Sequence, residues 1–218
     1  MLGAEAIERL RRSKIIIFGI GGVGGYALEI LARSGVGEIA IVDADKVEAS
    51  NINRQILSLH STIGVAKVEV ARQRILDINP ECKVICHEIF YSAENADTID
   101  LSRYDYVVDC IDSVPSKMEL IQRTNDHHPR IISALGAGNK LNPALIRISD
   151  IYETSTDPLA KSVRKKCREA GIKALKVAWS PEQPTVRREG VIASNAFVPS
   201  TMGILIASEV IKDLLSVQ

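Results

Sequence analysis

The sequence predicts an α/β fold: a doubly wound, mainly parallel sheet with helices on both faces. Three observations carry that expectation. Short β-branched runs alternate with helix-patterned stretches over the first 150 residues, the signature of βαβ units. The turn Gly19-Ile20-Gly21-Gly22-Val23-Gly24 directly follows the first run and opens the first helical stretch. Carboxylates gather at the ends of two runs, Asp43 with Asp45 and Asp109 with Asp112, on the edge where open α/β sheets bind ligands.

The opening residues 1–12 read as a short charged helix; they lack the apolar stretch and small-residue cleavage site of a signal peptide, so a cytoplasmic protein is expected. Residues 14–18 are the first strand. Residues 22–34 are helical, with Leu28, Leu31 and Ala32 on one side and Gly35 and Gly37 as stop signals. A right-handed crossover then leads into a strand over 38–42. A helix follows over 65–78, with Val68, Ala71 and Ile75 at helical spacing and Asn79-Pro80 ending it. Further strands are expected at 83–86, 104–111, 130–134 and 145–148, with a helix ahead of His127.

After Asp150 the texture changes to proline-containing turns, a basic helix over 159–170 and a loop over 181–184. About 40 residues seldom hold a core of their own, so 151–190 reads as a crossover excursion within one domain spanning 1–218. The chain then returns as a strand over 191–198 and ends in an amphipathic helix over 200–215, with Leu205, Ile206 and Val210 inward.

Composition narrows the function classes. The 218 residues carry 27 basic and 27 acidic side chains, which argues against a generally basic nucleic-acid wrapper but leaves room for a local basic face. Four cysteines in a chain long enough to bury a sizeable core read as cytosolic thiols. Apolar stretches fall far short of the ~20 residues of a spanning helix; the last is broken by Ser208, Glu209, Lys212 and Asp213.

The spacing Gly19, Gly21, Gly24, with Gly22 beside them, is GxGxxG: glycine allows the tight turn and close backbone approach, and the helix N-terminus offers free N–H groups to phosphate oxygens. Asp43 ends the second strand 19 residues after Gly24, where a carboxylate accepts from ribose hydroxyls. Asp45 fits a solvated turn carboxylate as well as a functional role. To this point a nicotinamide enzyme fits equally. The segment Asn51-Ile52-Asn53-Arg54-Gln55, with Lys67 opening the next helix, separates the readings, because a triphosphate needs cations when pyrophosphate leaves. Arg54 suits forked contact with phosphate and Lys67 a point charge. Asp112 is the candidate for Mg²⁺, which takes one or two carboxylates plus phosphate oxygens; Asp109 suits a structural strand-end carboxylate equally.

Other residues read more plainly. Cys82 and Cys86 are packing thiols at non-zinc spacing, and Cys110, between apolar neighbours, is a core residue before it is a nucleophile. Cys167 stands in the basic helix, where exposure and flanking cations favour a reactive thiolate, although a bland surface helix is the simpler reading. Seven Lys/Arg and one acid lie between Lys161 and Lys176, balanced between a solvated face and an RNA backbone contact. Lys140 is either a loop cation or a group facing the site. His127 and His128 are adjacent and point apart, unsuited to one metal.

Gly19 to Gly24, the Asp43-Ala44-Asp45 strand end, Asn51 to Gln55, Lys67 and Asp109-Cys110-Ile111-Asp112 together resemble the adenylation domain of the ubiquitin-activating superfamily, which includes the molybdopterin and thiamine sulfur-carrier adenylyltransferases. Within it, Ser34-Gly-Val-Gly37, Asp77-Ile-Asn-Pro80, Gly136-Ala-Gly-Asn-Lys140, Asp150-Ile-Tyr152, Asp157-Pro-Leu-Ala160 and Phe197-Val-Pro-Ser200 are similar to the bacterial tRNA threonylcarbamoyladenosine dehydratase branch. The resemblance implies a Rossmann-like sheet with antiparallel C-terminal strands, a homodimer, and ATP with Mg²⁺. It also implies a tRNA substrate whose threonylcarbamoyl carboxylate is adenylated at position 37 and then cyclises, with a sulfur-transfer or redox protein as a further partner. The roles it implies are Asp43 on ribose, Arg54 and Lys67 on the phosphates, Asn51 nearby and Asp112 with magnesium. An N-terminal arginine reaching the partner's ATP site is also implied, for which Arg9, Arg11 and Arg12 are the candidates. The alternatives are adenylation of a sulfur-carrier C-terminus, a non-catalytic nucleotide-binding scaffold and, less well supported, hydride transfer.

Overall fold

The computed structural model describes residues 3–124, 129–184 and 193–216. Its elements run α1 (Ala4–Arg12), β1 (Lys14–Phe18), α2 (Gly24–Arg33), β2 (Glu38–Val42), α3 (Lys67–Ile78), β3 (Lys83–His87), β4 (Tyr106–Asp109), α4 (Val114–Arg123), β5 (Arg130–Ala134), β6 (Arg147–Asp150), α5 (Pro158–Glu169), β7 (Lys176–Trp179) and α6 (Phe197–Leu215). The seven strands form one sheet in the order β3-β2-β1-β4-β5-β7-β6. Every pairing is parallel except β6 with β7. The doubly wound sheet with an antiparallel C-terminal pair is therefore as expected.

The strand sequences explain the two layers. Successive side chains point to opposite faces, so a strand covered on both sides must be apolar throughout. Ile15, Ile17, Ile39, Ile41 and Val108 pack under α2, α3 and α6. Ile16, Phe18, Ala40, Val42 and Val107 meet Tyr91, Ile99, Leu101 and Leu120 on the other face. A third cluster joins α4, α5 and β7 through Met118, Ile121, Val163, Cys167 and Trp179.

Two expectations fail here. Residues 193–198 form no strand: Asn195 Oδ1 accepts from the backbone N–H groups of Phe197 and Val198 at 3.1 and 3.0 Å, so this capping carboxamide starts α6 at Phe197, ahead of the expected 200. Residues 191–192 of that expected strand lie outside the described residues. The last strand instead comes from within 151–190, where β7 pairs with both β5 and β6. Its four residues are too few for a period to show, and three of them are buried, so no alternation marks it.

The far end of α6 is tied to the N-terminal ends of the strands. Tyr106 Oη donates to Asp213 at 2.6 Å, Lys176 Nζ reaches Asp213 at 2.7 Å and Glu209 at 2.9 Å, and the Arg130 guanidinium lies 5.5 Å from the Tyr106 ring centre. Burial alone raises the Asp213 carboxyl, but the hydrogen bonds from Lys176 and Tyr106 outweigh it and hold the group below the usual carboxylate range. A carboxyl lowered on folding stabilises above its unfolded pKa, and that contribution is lost as pH falls through the folded value. Asp213→Asn is thus expected to cost about 1–2 kcal/mol at neutral pH, a Tm loss of roughly 2–8 °C. Thermal melts should show the gap to the parent narrowing below about pH 4; a gap constant with pH would mean that the charge contributes nothing.

Candidate nucleotide site

A cleft of about 550 Å³ opens at the C-terminal ends of β1, β2 and β4. Its walls contain every residue singled out by motif: Gly19, Gly21, Gly22, Gly24, Asp43, Asp45, Asn51, Arg54, Gln55, Lys67 and Asp112. They come from distant parts of the chain, and the parallel sheet brings their strand ends to one edge.

The floor is the glycine turn. Gly19 has φ +79°, and a Cβ there would stand 2.8 Å from the Cys110 carbonyl oxygen. Gly24 lies so close under the same turn that a Cβ would overlap the Gly19 carbonyl. Side chains are excluded at both positions, which lets the turn close tightly over the start of α2.

Asp43 braces this turn. Its Oδ2 accepts from the Ile20 N–H at 2.8 Å and its Oδ1 from the Asp45 N–H at 2.9 Å. An ionised carboxylate has about four acceptor positions, so two remain for a ligand. Lys67, at the start of α3, is nearly buried; its Nζ lies 2.7 Å from Asp45 Oδ2 and 3.9 Å from Asp43 Oδ1, while the Asp45 side chain is 70% exposed. Asp45 is therefore the partner of Lys67 as well as a turn residue.

Across the cleft, a short 3-10 turn at Ala49–Asn51 leads into the cationic segment. Asn51 Oδ1 accepts from the Glu48 N–H at 3.1 Å, which holds the turn closed. Arg54 Nη1 donates to the Ser50 carbonyl at 2.9 Å and to Asn53 Oδ1 at 2.8 Å. Among the described residues its Nε and Nη2 have no protein acceptor, so the other edge of the fork is available. Gln55 is buried, and its Oε1 has no hydrogen-bond partner among the described residues.

Asp112 projects from the loop after β4 and is exposed. Asp109 behind it is wholly buried and paired to Lys117 at 2.6 Å, so it is structural. The Cys110 thiol is pushed up to about 12, chiefly by burial and then by Asp109, which disfavours the thiolate that a nucleophile needs. Sequence reasoning missed the wall made by Ile89, Phe90 and Tyr91 after β3, where Phe90 stays 63% exposed. Their signal was position: they follow a third strand ending on the same sheet edge. It also missed Lys117, which shares a helical stripe with Val114, Met118 and Ile121, a charge on an apolar face.

Several readings outside the cleft are now decided. Cys167 is buried against α4 and β7, and burial pushes its thiol up to about 11, so the exposed thiolate is ruled out. Lys140 neither faces the cleft nor stands free; it is buried and paired to Asp157 at 2.7 Å. Arg9, Arg11 and Arg12 sit on α1, away from the lining of the chain's own cleft. His127 and His128 lie outside the described residues.

The chain and its fold resemble known proteins over nearly their whole length. The chain is 42% identical over 232 residues to the tRNA threonylcarbamoyladenosine dehydratase of Bacillus subtilis, an alignment covering 98% of this chain and 91% of that one. Its fold matches the crystal structure of the Escherichia coli tRNA N6-threonylcarbamoyladenosine dehydratase with AMP at a TM-score of 0.92, 32% identity and coverage of 98% and 90%. The same enzyme with ATP matches at 0.89 and 32% identity, with the same coverage. The match to the ThiF family model spans residues 1–218, so this chain belongs to the ThiF family.

Proposed function

We propose that the chain is an ATP-dependent tRNA threonylcarbamoyladenosine dehydratase, working as a single adenylating domain over 1–218. The observation that carries the reading is the convergence of the glycine turn, Asp43, Arg54, Lys67 and Asp112 on one cleft, in a chain so similar to dehydratases over its whole length.

In this reading the substrate carboxylate attacks the α-phosphorus of ATP, and pyrophosphate leaves. The neighbouring nitrogen then attacks the activated carbonyl, the ring closes, and AMP departs with the carboxylate oxygen. The net change in the nucleoside is loss of one water. No protein nucleophile is needed, because the attacking nitrogen is already held beside the carbonyl. Asp43 accepts from the ribose with its two free acceptor positions, and the glycine turn offers N–H groups to phosphate. The free edge of Arg54 takes phosphate oxygens, and Lys67 turns from Asp45 to the charge developing on pyrophosphate.

Among the described residues no three His, Cys, Asp or Glu side chains cluster as a resident metal site. A lone exposed carboxylate fits magnesium held mainly by phosphate oxygens and water, with Asp112 as its protein ligand. There the ion would neutralise phosphate charge.

The exposed cations Lys161, Lys165, Lys166, Arg168 and Lys173 form the proposed tRNA-facing surface on and after α5. Arg164 and Lys176 do not belong to it, because Arg164 bonds Thr154 and Lys176 bonds Asp213. Lys165→Glu with Lys166→Glu is expected to weaken tRNA binding most at low salt and to flatten the dependence of log K on log salt, by about one for each phosphate no longer neutralised. An unchanged slope would make α5 a solvated face. A homodimer, a sulfur-transfer or redox partner and a cytoplasmic setting complete the proposal; no helix among the described residues is long and apolar enough to cross a membrane.

The deciding experiment measures AMP formation from ATP and Mg²⁺ with and without tRNA bearing threonylcarbamoyladenosine, followed by nucleoside mass. tRNA-dependent AMP together with loss of one water supports the reading. ATP binding without either result refutes it.

A further inference from the structure

The Asp109–Lys117 ion pair is completely buried, 0% exposed on both sides, yet lies directly beneath the cleft. Its hydrogen bonds reach three separate strands and loops. Lys117 Nζ, in the first turn of α4, donates to Asp109 Oδ2 at 2.6 Å and to the Ala134 carbonyl at the end of β5 at 3.0 Å. Asp109 Oδ1 accepts from the Ile111 N–H at 3.0 Å, one residue before Asp112. The Cys110 N–H between them donates to Phe18 at 2.8 Å, and the Cys110 carbonyl is the atom packed against Gly19. Residues 110–112 thus form both the wall of the glycine turn and the mount of Asp112.

A buried ion pair is a poor source of stability: an apolar pair of similar volume often does as well, because two charges must be stripped of water. What this pair does, and an apolar pair cannot, is fix directions. A carboxylate is needed to hold the Ile111 N–H, and a cation bonded to β5 is needed to orient that carboxylate. We propose that Lys117 is a positioning residue, acting through Asp109, that sets Asp112 and the adjoining backbone for the metal-bearing nucleotide. The inference rests on the reading of Asp112 given above.

The test uses nucleotide binding alone, so it does not depend on which substrate is adenylated. Calorimetry of ATP binding with Mg²⁺ and with EDTA is compared among the parent, Asp112→Asn and the double variant Asp109→Leu/Lys117→Met, alongside thermal melts. The double variant should fold but melt below the parent, because the Ile111 N–H and the Ala134 carbonyl lose their side-chain partners, and should bind ATP in EDTA about as well as the parent. The gain in ATP affinity that Mg²⁺ confers should fall by about 10- to 100-fold, as in Asp112→Asn, the range found when groups supporting a ligand are removed. Asp109→Asn, which keeps the bulk but only one of the two acceptor oxygens and so cannot hold both the Ile111 N–H and Lys117, should move the Mg²⁺ effect in the same direction and serves if the double variant does not fold. A full Mg²⁺ effect in the folded double variant, or in Asp109→Asn where the double does not fold, overturns the positioning role when Asp112→Asn has lost it. A full effect in Asp112→Asn itself overturns the Asp112 assignment and the positioning role with it.

Discussion

Arg54→Ala is expected to lower tRNA-dependent AMP formation by about 100- to 1,000-fold, the loss typical of removing one preorganised donor from a site where charge develops. The geometry explains why so exposed a segment supplies so much. One edge of the guanidinium is already spent on the Ser50 carbonyl and Asn53 Oδ1, so the fork is aimed before any ligand arrives. The Asn53 carboxamide is itself held, donating to the Ser194 carbonyl at 3.1 Å. Little reorganisation remains when the α-phosphorus is attacked. Because that charge is greatest as pyrophosphate departs, the loss should fall mainly on kcat, with a smaller change in ATP KM. Arg54→Lys should recover only part of it, since an ammonium cannot bond Ser50, Asn53 and phosphate in one plane. Steady-state AMP formation at varied ATP, with circular dichroism to confirm the fold, measures this. Activity within about threefold of the parent would remove Arg54 from the site, given that deleting one donor normally costs far more.

Most of the site was legible for a common reason: Gly19 to Gly24 and Asp43 follow strands and Lys67 opens a helix, and a parallel sheet brings such positions to one edge whatever the intervening chain does. Arg54 lies in the loop between β2 and α3 and was legible only as part of the Asn51 to Gln55 segment. The fold was legible where strands are long apolar runs bounded by glycine, as in β1 and β2. It failed where the deciding interaction is made by a distant partner. Nothing within Lys176–Trp179 announces that this segment will slip between β5 and β6. Nothing within residues 193–198 says that the Asn195 side chain will claim the first N–H groups of a helix. Charges were the hardest to place. Lys117 and Lys140 look like surface cations because lysine usually is one, yet each is buried on a carboxylate, Lys117 on Asp109 eight residues away and Lys140 on Asp157 seventeen away.

Lys140→Met is expected to be the most destabilising of these substitutions, at about 3–5 kcal/mol, or a Tm loss of roughly 6–20 °C. Lys140 Nζ donates to Asp157 Oδ2 and to the Gly136 carbonyl, each at 2.7 Å, and to the Ser180 carbonyl at 3.1 Å. All three protons are used, and methionine, close in volume, would leave three acceptors orphaned, one of them a buried carboxylate. The penalty comes from that carboxylate more than from the missing attraction, so removing the charge from both sides should recover much of it. Asp157→Asn in the Lys140→Met background is the informative variant. Asp157 Oδ1 also accepts from the Ala160 N–H at 2.8 Å at the start of α5, and asparagine preserves that cap, normally a matter of about 1 kcal/mol. The double variant should therefore melt above the Lys140→Met single variant, with the remaining deficit set by the Gly136 and Ser180 carbonyls. Additive losses in a double-mutant cycle of melting curves would show that the two side chains act independently and that the buried pair does not hold β5, α5 and the chain after β7 together.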